Sequence, residues 1–392
     1  MKRWTFKVNI LALLLFLFFF FPENVQASEP PKQQELVNEQ IDKLGIDEVK
    51  QFWDDIITQY GGFLPESQKG SLVDFLKGEK EFSLKEWLGG LVKFLFHEVL
   101  ANGKLLGTLI MLTVFSVFLQ TLQSAFNQQT VSKVAYALVY MVLIIIALNS
   151  FQIAISYATG AIETMTKFIL ALVPLALMAS SGGVVSAAFF HPMILFLMNT
   201  SGLLIQYVVM PLLFLSALLS IVSTISDEHK VTQLAQLLRN ISIGVLGIFL
   251  TVFLGVLSVQ GATSAVADGI TIRTAKFVTG NFIPVVGRVF TDAADTVISA
   301  SLLLKNSVGI AGVAVLLLIV AFPAIKVLTL AFIYKLAAAL LQPIGGGPVI
   351  SCLSIISKSV IYIFAALAVV SLMFFLCLTV IITASNVTMM VR

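Results

Sequence analysis

The charged residues whose spacing could support chemistry lie in one moderately apolar stretch, Phe277 to Leu304. Asp292 follows Arg288 by four positions, so both fall on one face of a helix, and Asp295 comes one turn later. If this stretch enters a membrane, the three charges mark an ion or substrate path. An interfacial helix whose charges face water is the favoured alternative, because Thr, Asn, Gly and charge are dense from Thr271 to Asp295. These three residues are therefore targets for mutation and are not assigned to a site.

The residue sets that enzymes use are absent from the sequence. His97-Glu98 begins like a zinc-protease helix, but Ala101 stands where the second histidine is required. Gly103-Lys104 lacks the earlier glycine and the following Ser or Thr of a phosphate-binding loop. No Gly-x-Ser-x-Gly elbow and no His-Glu-x-x-His pair occurs. We therefore predict no enzymatic activity, no cofactor and no metal site.

Two other features are interpreted as structural. Gly345-Gly346-Gly347-Pro348 cannot continue a helix. At membrane depth such backbone must be buried in protein or line a cavity, although a plain turn between helices is favoured. The two cysteines, Cys352 and Cys377, lie in apolar stretches, so no disulfide framework or thiolate metal site is available.

The composition is that of an integral membrane protein. Of 392 residues, 58% are hydrophobic and 11% are charged, against roughly 25% charged in soluble domains. Residues 28–104 contain 14 acidic and 9 basic residues, whereas residues 105–392 contain 6 acidic and 12 basic ones. This split predicts an acidic module followed by a membrane domain, with the boundary near Lys104. The overall charge of +3 gives no reason to expect nucleic acid as a partner.

The N-terminus has the pattern of an export signal. Lys2, Arg3 and Lys7 precede an apolar run from Val8 to Phe21. Val25-Gln26-Ala27 then supplies small residues for a cleavage site. Residues 1–27 are predicted to be a signal peptide. The alternative is an uncleaved anchor, but the run is shorter than the about 20 residues that cross a bilayer. In both cases residues 28–104 are delivered to the outside.

The exported module is predicted to be helical. Val49, Phe52, Trp53, Ile56 and Tyr60 form an apolar stripe, and Gly61-Gly62 ends that helix. Two further helix starts have capping-box spacing, Ser71 with Asp74 and, as the stronger case, Ser83 with Glu86. The last helix has an apolar excess and is predicted to lie along the outer membrane interface.

The rest of the chain predicts an all-α, polytopic membrane domain with about seven to eight spans. One candidate span, Met193 to Ile225, contains Pro211 and reads as one tilted helix or a broken pair. Residues 263–307 are rich in Lys and Arg and are expected on the cytoplasmic side. The other candidates are Leu105–Gln123, Val134–Ile155, Phe168–Phe190, Ile241–Ala262, Val308–Val327, Val360–Thr383 and the shorter Leu328–Leu341.

A weak internal similarity suggests duplication of residues 131–235 and 236–358. Lys167-Phe168-Ile169 with Val173-Pro174 corresponds to Lys276-Phe277-Val278 with Ile283-Pro284. Short matches arise easily by chance in an apolar sequence, so chance and duplication are equally supported. Duplication would favour a transporter-like or channel-like domain.

Three stretches carry a resemblance to a known family. They are Met1 to Lys7, Phe52-Trp53-Asp54-Asp55 and Gln342 to Pro348. On these residues the chain resembles the stage III sporulation protein AE family of endospore-forming bacteria. The resemblance implies a subunit of the multiprotein channel between mother cell and forespore, in the mother-cell-derived outer forespore membrane. It implies ring-forming membrane proteins and a cytoplasmic secretion-type ATPase as partners, and a need for the complex in late forespore gene expression. It assigns no catalytic or binding residue.

A second hypothesis comes from the residues alone. The similarity between the two halves, the prolines within spans and the charges at Arg288, Asp292 and Asp295 are also compatible with a stand-alone secondary transporter of a small solute. That hypothesis describes a protein that works alone or as a homo-oligomer, and it predicts that neutralising Asp292 or Asp295 abolishes function while leaving partners bound.

Overall fold

The structure is a computed structural model, which describes residues 46–65, 70–76, 83–125, 129–178, 184–224, 231–282, 286–344 and 347–383. The predicted signal peptide, residues 1–27, lies outside the described residues. The described chain is helical throughout and contains no strand. In order, the helices are α1 (Asp47–Tyr60), α2 (Leu72–Leu76), α3 (Leu84–Ala101), α4 (Gly103–Ala125), α5 (Gln129–Met178), α6 (Val184–Leu204), α7 (Met210–Val222), α8 (Thr232–Phe282), α9 (Val286–Leu341) and α10 (Pro348–Thr383).

Six helices in the described part of the chain are long and apolar enough to cross a membrane. This confirms the prediction of an all-α, polytopic membrane protein. The proposed duplication stays a prediction. The apolar segments are Gly103–Leu122, Val134–Leu172, Leu195–Val222, Thr232–Val259, Ser307–Ile344 and Pro348–Val380.

Several predicted spans are joined into single longer helices. The breaks expected between Ile155 and Phe168 and between Val327 and Leu328 are absent, because α5 and α9 run through both positions. Pro211 does not break its span either. It lies at the start of α7 but inside a continuous helical run, where a local π-helical turn can re-satisfy the backbone groups that a proline leaves free. A π-helical turn, Ile205–Val209, joins α7 to α6.

Helix α5 is too long to lie entirely in a bilayer. Its 50 residues span about 75 Å at 1.5 Å per residue, against a hydrocarbon core of about 30 Å. The Glu163–Lys167 ion pair, with an N–O distance of 2.7 Å and both side chains mostly exposed, lies in its second half. Because exposed charges avoid lipid, this half of α5 extends past the hydrocarbon core.

Helices α5 and α9 run antiparallel and form the centre of the molecule. Tyr334 of α9 contacts Ser150 of α5 at one level, and Gly312 of α9 lies against Leu172 of α5 at a more distant one. Helix α9 also contacts α1, α2 and α3 as well as α4, α8 and α10. The first helices of the chain and the membrane helices therefore meet on one element.

The Lys- and Arg-rich residues 263–307 are divided between two helices. Residues 263–282 are in α8, and residues 286–307 are in α9. Further along α9, Phe322 contacts Tyr60 and Phe94 of the N-terminal module. The cytoplasmic side expected for residues 263–307 stays a prediction.

The helix surfaces that face away from this centre are apolar. Met111 and Phe118 of α4, Ile145 of α5 and Ile248 of α8 are 76%, 56%, 66% and 69% exposed. On a soluble protein such a surface would aggregate, whereas in a bilayer it contacts acyl chains.

The module, which here means the described part of residues 28–104, is shaped by a small number of local contacts. Val49, Trp53, Ile56 and Tyr60 are buried along α1, which confirms the predicted stripe. The Trp53 indole N–H donates to the Gly70 carbonyl oxygen at 2.7 Å, fixing the loop before α2.

The two predicted capping boxes differ in outcome. At the start of α2 the backbone N–H of Ser71 donates to the Asp74 carboxylate at 3.1 Å, and the backbone N–H of Val73 donates to the Ser71 hydroxyl at 3.3 Å. This box is confirmed. Ser83 does precede α3 in an extended conformation, but its hydroxyl makes no capping hydrogen bond. The expectation that Ser83 is the stronger cap is therefore wrong.

A close approach of backbone to helix fixes α3 against the loop after α1. A Cβ atom built on Gly90 would fall onto the carbonyl oxygen of Phe63, whereas Gly89, the preceding residue, has open space around it. Glycine at position 90 is thus needed for packing, against the preference of a helix interior for alanine.

We expect Gly90→Ala to lower the thermal unfolding midpoint of the purified full-length protein, because overpacking a tight contact costs about 1–3 kcal/mol. Gly89→Ala is the matched control, and it should keep or raise the midpoint because alanine is favoured in helices by about 1 kcal/mol. Circular dichroism at 222 nm in detergent measures both. Equal midpoints for the two variants would contradict the contact.

Candidate functional site

The module and the membrane helices meet along a set of aromatic rings, here called the aromatic seam. Its module members are Phe52, Tyr60, Phe63 and Phe94, and its membrane-helix members are Phe168 of α5 and Phe322 of α9. The Tyr60 ring stacks on Phe322 with centroids 3.9 Å apart and an interplanar angle of 5°. Phe52 meets Phe168 edge-on at 5.5 Å. Such ring pairs contribute about 0.5–1.5 kcal/mol each beyond the burial of their surface.

Phe94 of α3 lies at the centre of the aromatic seam and is 3% exposed. It meets the rings of Tyr60, Phe63 and Phe322 edge-on at 5.6, 5.0 and 4.9 Å. Its neighbours therefore include the first module helix, the following loop and a membrane helix. The seam joins all of these into one buried core.

Lys326 lies one turn beyond Phe322 on α9, beside the aromatic seam. Its ammonium is 5.5 Å from the centroid of the Tyr60 ring and 5.1 Å from that of Tyr157. Both distances are within the range of a cation–π interaction, worth about 0.5–2 kcal/mol depending on desolvation. The lysine thus connects the module, through Tyr60, to α5, through Tyr157.

A cavity of about 270 Å³ lies next to Lys326, between α3, α4, α5 and α9. We call it the junction cavity. One part of its wall is polar and consists of Glu98, Asn102, Asn149, Ser150, Tyr157 and Lys326. The other part is apolar and consists of Leu105, Ile146, Ile153 and Leu330.

One part of the wall of the junction cavity is held by satisfied hydrogen bonds. The Tyr334 hydroxyl, which is buried, donates to the Ser150 hydroxyl at 2.8 Å. Ser150 in turn donates to the Ile146 carbonyl oxygen at 3.0 Å. Because these groups partner one another, they do not require a ligand.

The electrostatics of the seam are set by burial and by Glu98. Burial raises the pKa of Tyr60 to about 12, and the nearby Glu98 carboxylate adds to the increase by repelling a phenolate. Tyr60 is thus a neutral phenol at physiological pH. Its ring is free to stack and to face Lys326 without a competing negative charge.

Most of the residues singled out in the sequence do not line the junction cavity. The side chains of Arg288, Asp292 and Asp295 lie outside the described residues, although α9 includes their backbone. The His97 ring packs against Phe63 at 5.0 Å. Its neighbour Glu98 lines the junction cavity. In the sequence this glutamate was considered only as part of an incomplete zinc-protease motif.

The remaining candidates are structural. Cys352 and Cys377 are buried free cysteines. Helix α10 begins at Pro348, directly after Gly347, and the short 3₁₀ turn Gln342–Ile344 follows α9, in agreement with a turn between helices. Gly345 and Gly346 lie outside the described residues.

Sequence reasoning missed Lys326, Tyr157 and Asn149. A signal for Lys326 was present, since it is a lysine within an apolar segment of 38 residues, Ser307–Ile344. An ionisable residue in such a position is by default a candidate for function. Tyr157 and Asn149 carry no comparable signal, because only the packing of α5 on α9 brings them to Lys326.

The fold and the junction define a class: a polytopic helical membrane protein with a helical module packed onto its long membrane helices. Residues 67–385 match the family model described as stage III sporulation protein AE (spore_III_AE). The chain is 68% identical, over the full length of both chains, to the protein named Stage III sporulation protein AE of Bacillus subtilis (strain 168). No solved structure matches the chain. The chain belongs to the stage III sporulation protein AE family, and it is a sporulation protein of the membrane.

Phe322→Ala should destabilise the protein by about 3–5 kcal/mol, because it removes a buried ring that contacts Tyr60 and Phe94. Phe332→Ala, on the same helix but half exposed, is the matched control and should change stability by less than about 0.5 kcal/mol. Thermal unfolding in detergent tests the difference. A second measurement is limited proteolysis of the module in the purified protein, where its cleavage should increase only for Phe322→Ala. Similar behaviour of the two variants would argue against docking through the seam.

Ionisation of Tyr60 should lower the stability of the folded protein at alkaline pH. Its pKa is about 10 in the unfolded chain and about 12 in the folded protein, so the folded state binds the proton more tightly. The stability contributed by the neutral phenol is fully present below pH 10 and is lost as the pH rises through about 12. Tyr60→Phe keeps the ring but has no hydroxyl to ionise, so it should remove the part of the alkaline loss of stability that Tyr60 causes. Unfolding midpoints of both proteins between pH 9 and pH 12 measure it, and parallel profiles would show that Tyr60 does not contribute.

Proposed function

We propose that this chain is a membrane subunit of a channel or secretion-like complex that links mother cell and forespore and is needed for late forespore gene expression. Residues 105–392 lie in the mother-cell-derived outer forespore membrane, and residues 28–104 face the space between the two membranes. Its partners are ring-forming sporulation membrane proteins and a cytoplasmic secretion-type ATPase. Membership of the stage III sporulation protein AE family supports this proposal.

The observation that carries the proposal is the fixed acidic face of the module. Asp47, Glu48, Asp54 and Asp55 are exposed along α1, while the opposite face of α1 is buried. The aromatic seam holds that buried face on α5 and α9. A charged face held in one orientation suits permanent assembly with a basic partner surface, since electrostatic complementarity selects partners and sets their register.

The role we propose is passive with respect to chemistry. The sequence has no phosphate-binding loop, which fits a membrane subunit that works beside a separate ATPase. We therefore propose that the chain is not an enzyme and needs no cofactor. The energy for any transport would come from the partner.

The test is purification of a tagged full-length chain from sporulating cells in mild detergent, with identification of the proteins that accompany it. We expect ring-forming sporulation proteins and the ATPase to copurify. Asp54→Asn with Asp55→Asn should reduce the recovery of a partner that contacts the module by about tenfold, because charge-assisted contacts are worth about 1.5–3 kcal/mol.

Gln51→Ala with Thr58→Ala is the control, since both residues are exposed and neutral on the same helix. This variant should retain its partners. Recovery of the wild-type chain alone, under conditions that preserve other membrane complexes, would contradict the proposal. It would favour the stand-alone transporter instead.

A further inference from the structure

Two opposite charges line the junction cavity without neutralising each other. Glu98 of α3 and Lys326 of α9 are both in its wall, and neither forms an ion pair with another described residue. Lys326 is held by two tyrosine rings, which attract a cation but leave its N–H donors available. Partly buried charges of this kind are costly unless a ligand or water satisfies them. The wall is thus complementary to a group with one negative and one positive charge.

The size and lining of the cavity narrow the class of ligand. Its volume is about 270 Å³, whereas a water molecule occupies about 30 Å³ of the liquid. The cavity therefore accommodates a group of several heavy atoms. Along α5 the lining runs from Tyr157 at the polar end to Ile146 at the apolar end, about 16 Å at 1.5 Å per residue. A ligand that fills it is polar at one end and apolar at the other.

The position of the cavity is that of a lipid headgroup. Asn102, in the cavity wall, immediately precedes Gly103, where the first membrane-crossing segment of the described chain begins. The cavity therefore lies where the hydrocarbon core meets the headgroup layer. Ile153, in the apolar wall, is 37% exposed, so this wall reaches the surface that faces lipid.

The exposed surface of helix α3 independently indicates that the cavity lies at the depth of the lipid headgroups. Leu88, Val92, Phe96 and Leu100 recur every fourth residue and are 61%, 52%, 65% and 79% exposed. Two exposed lysines, Lys85 and Lys93, lie on the same side of the helix. An exposed apolar stripe with adjacent lysines is the pattern of a helix that lies in the membrane interface. Because Glu98 is on α3, its carboxylate is at headgroup level.

We propose that the junction cavity binds the headgroup of an aminophospholipid. The phosphate accepts hydrogen bonds from the Lys326 ammonium, and the primary ammonium of the lipid donates to the Glu98 carboxylate and to the amide oxygens of Asn102 or Asn149. The acyl chains leave along Ile146 and Ile153 toward the bilayer. The lipid thereby joins the module to α9. This inference does not depend on the proposed function.

The test uses the purified full-length protein, delipidated in detergent, with phosphatidylethanolamine, phosphatidylglycerol or phosphatidylcholine added at equal mole fraction. Native mass spectrometry counts retained lipid, and thermal unfolding measures stabilisation. Phosphatidylethanolamine should be retained at least about tenfold better than the other two, because phosphatidylglycerol lacks the amine and phosphatidylcholine has no N–H donor.

Two variants separate binding from folding. Glu98→Gln removes the acceptor of the lipid amine and should lose this preference for phosphatidylethanolamine, while it leaves the rings around Lys326 in place. Lys326→Gln removes the donor to the phosphate, which all three lipids share, and should lower the retention of all three. Lys85→Gln with Lys93→Gln, on the exposed side of α3, is the control and should keep the preference. Because the readout compares lipids within one variant, a general loss of stability does not imitate the result.

Two outcomes would overturn the inference. One is equal retention of the three lipids by the wild-type protein. The other is full protection by soluble glycerophosphoethanolamine at the same concentration, which would identify the ligand as a free zwitterion rather than a membrane lipid.

Discussion

The packing of Tyr60 on Phe322 is the contact on which the rest of this structure depends. The module has three described helices, one of them only five residues long, and a unit of this size buries only a small apolar core of its own. Its buried face is completed by α5 and α9, so the module and the membrane helices share one core. The orientation of the acidic face, the position of Glu98 and the shape of the junction cavity all follow from that shared packing.

The sequence was sufficient for the class of the protein and for many local features. The apolar segments, the buried stripe of α1 and the cap at Ser71 follow from hydrophobicity, periodicity and side-chain chemistry, which act over a few residues. Helix continuity was harder to predict, because no local signal distinguishes two spans separated by small residues from one helix that extends beyond the bilayer. Pro323 is a case in point, since it lies inside α9 without ending it.

The junction cavity could not be derived from the sequence, for a different reason. Its charged residues, Glu98 and Lys326, are separated by more than two hundred positions and come together only because α3 packs on α9. Lys326 alone was detectable as an ionisable residue in an apolar segment. Its partners, Tyr60 and Tyr157, are ordinary aromatic residues in the sequence and gain their roles from tertiary packing.

The position of α9 late in the chain affects how the protein is made. The module emerges early, but the part of α9 that completes its core is synthesised more than two hundred residues after Phe94. At about 5–20 residues per second, that interval is roughly 10–50 s. During biogenesis the module therefore spends many seconds with its aromatic face uncovered, a period in which a membrane chaperone has access to it. Maturation of the module thus depends on insertion of a late membrane segment, and a truncated chain would display an unfinished module.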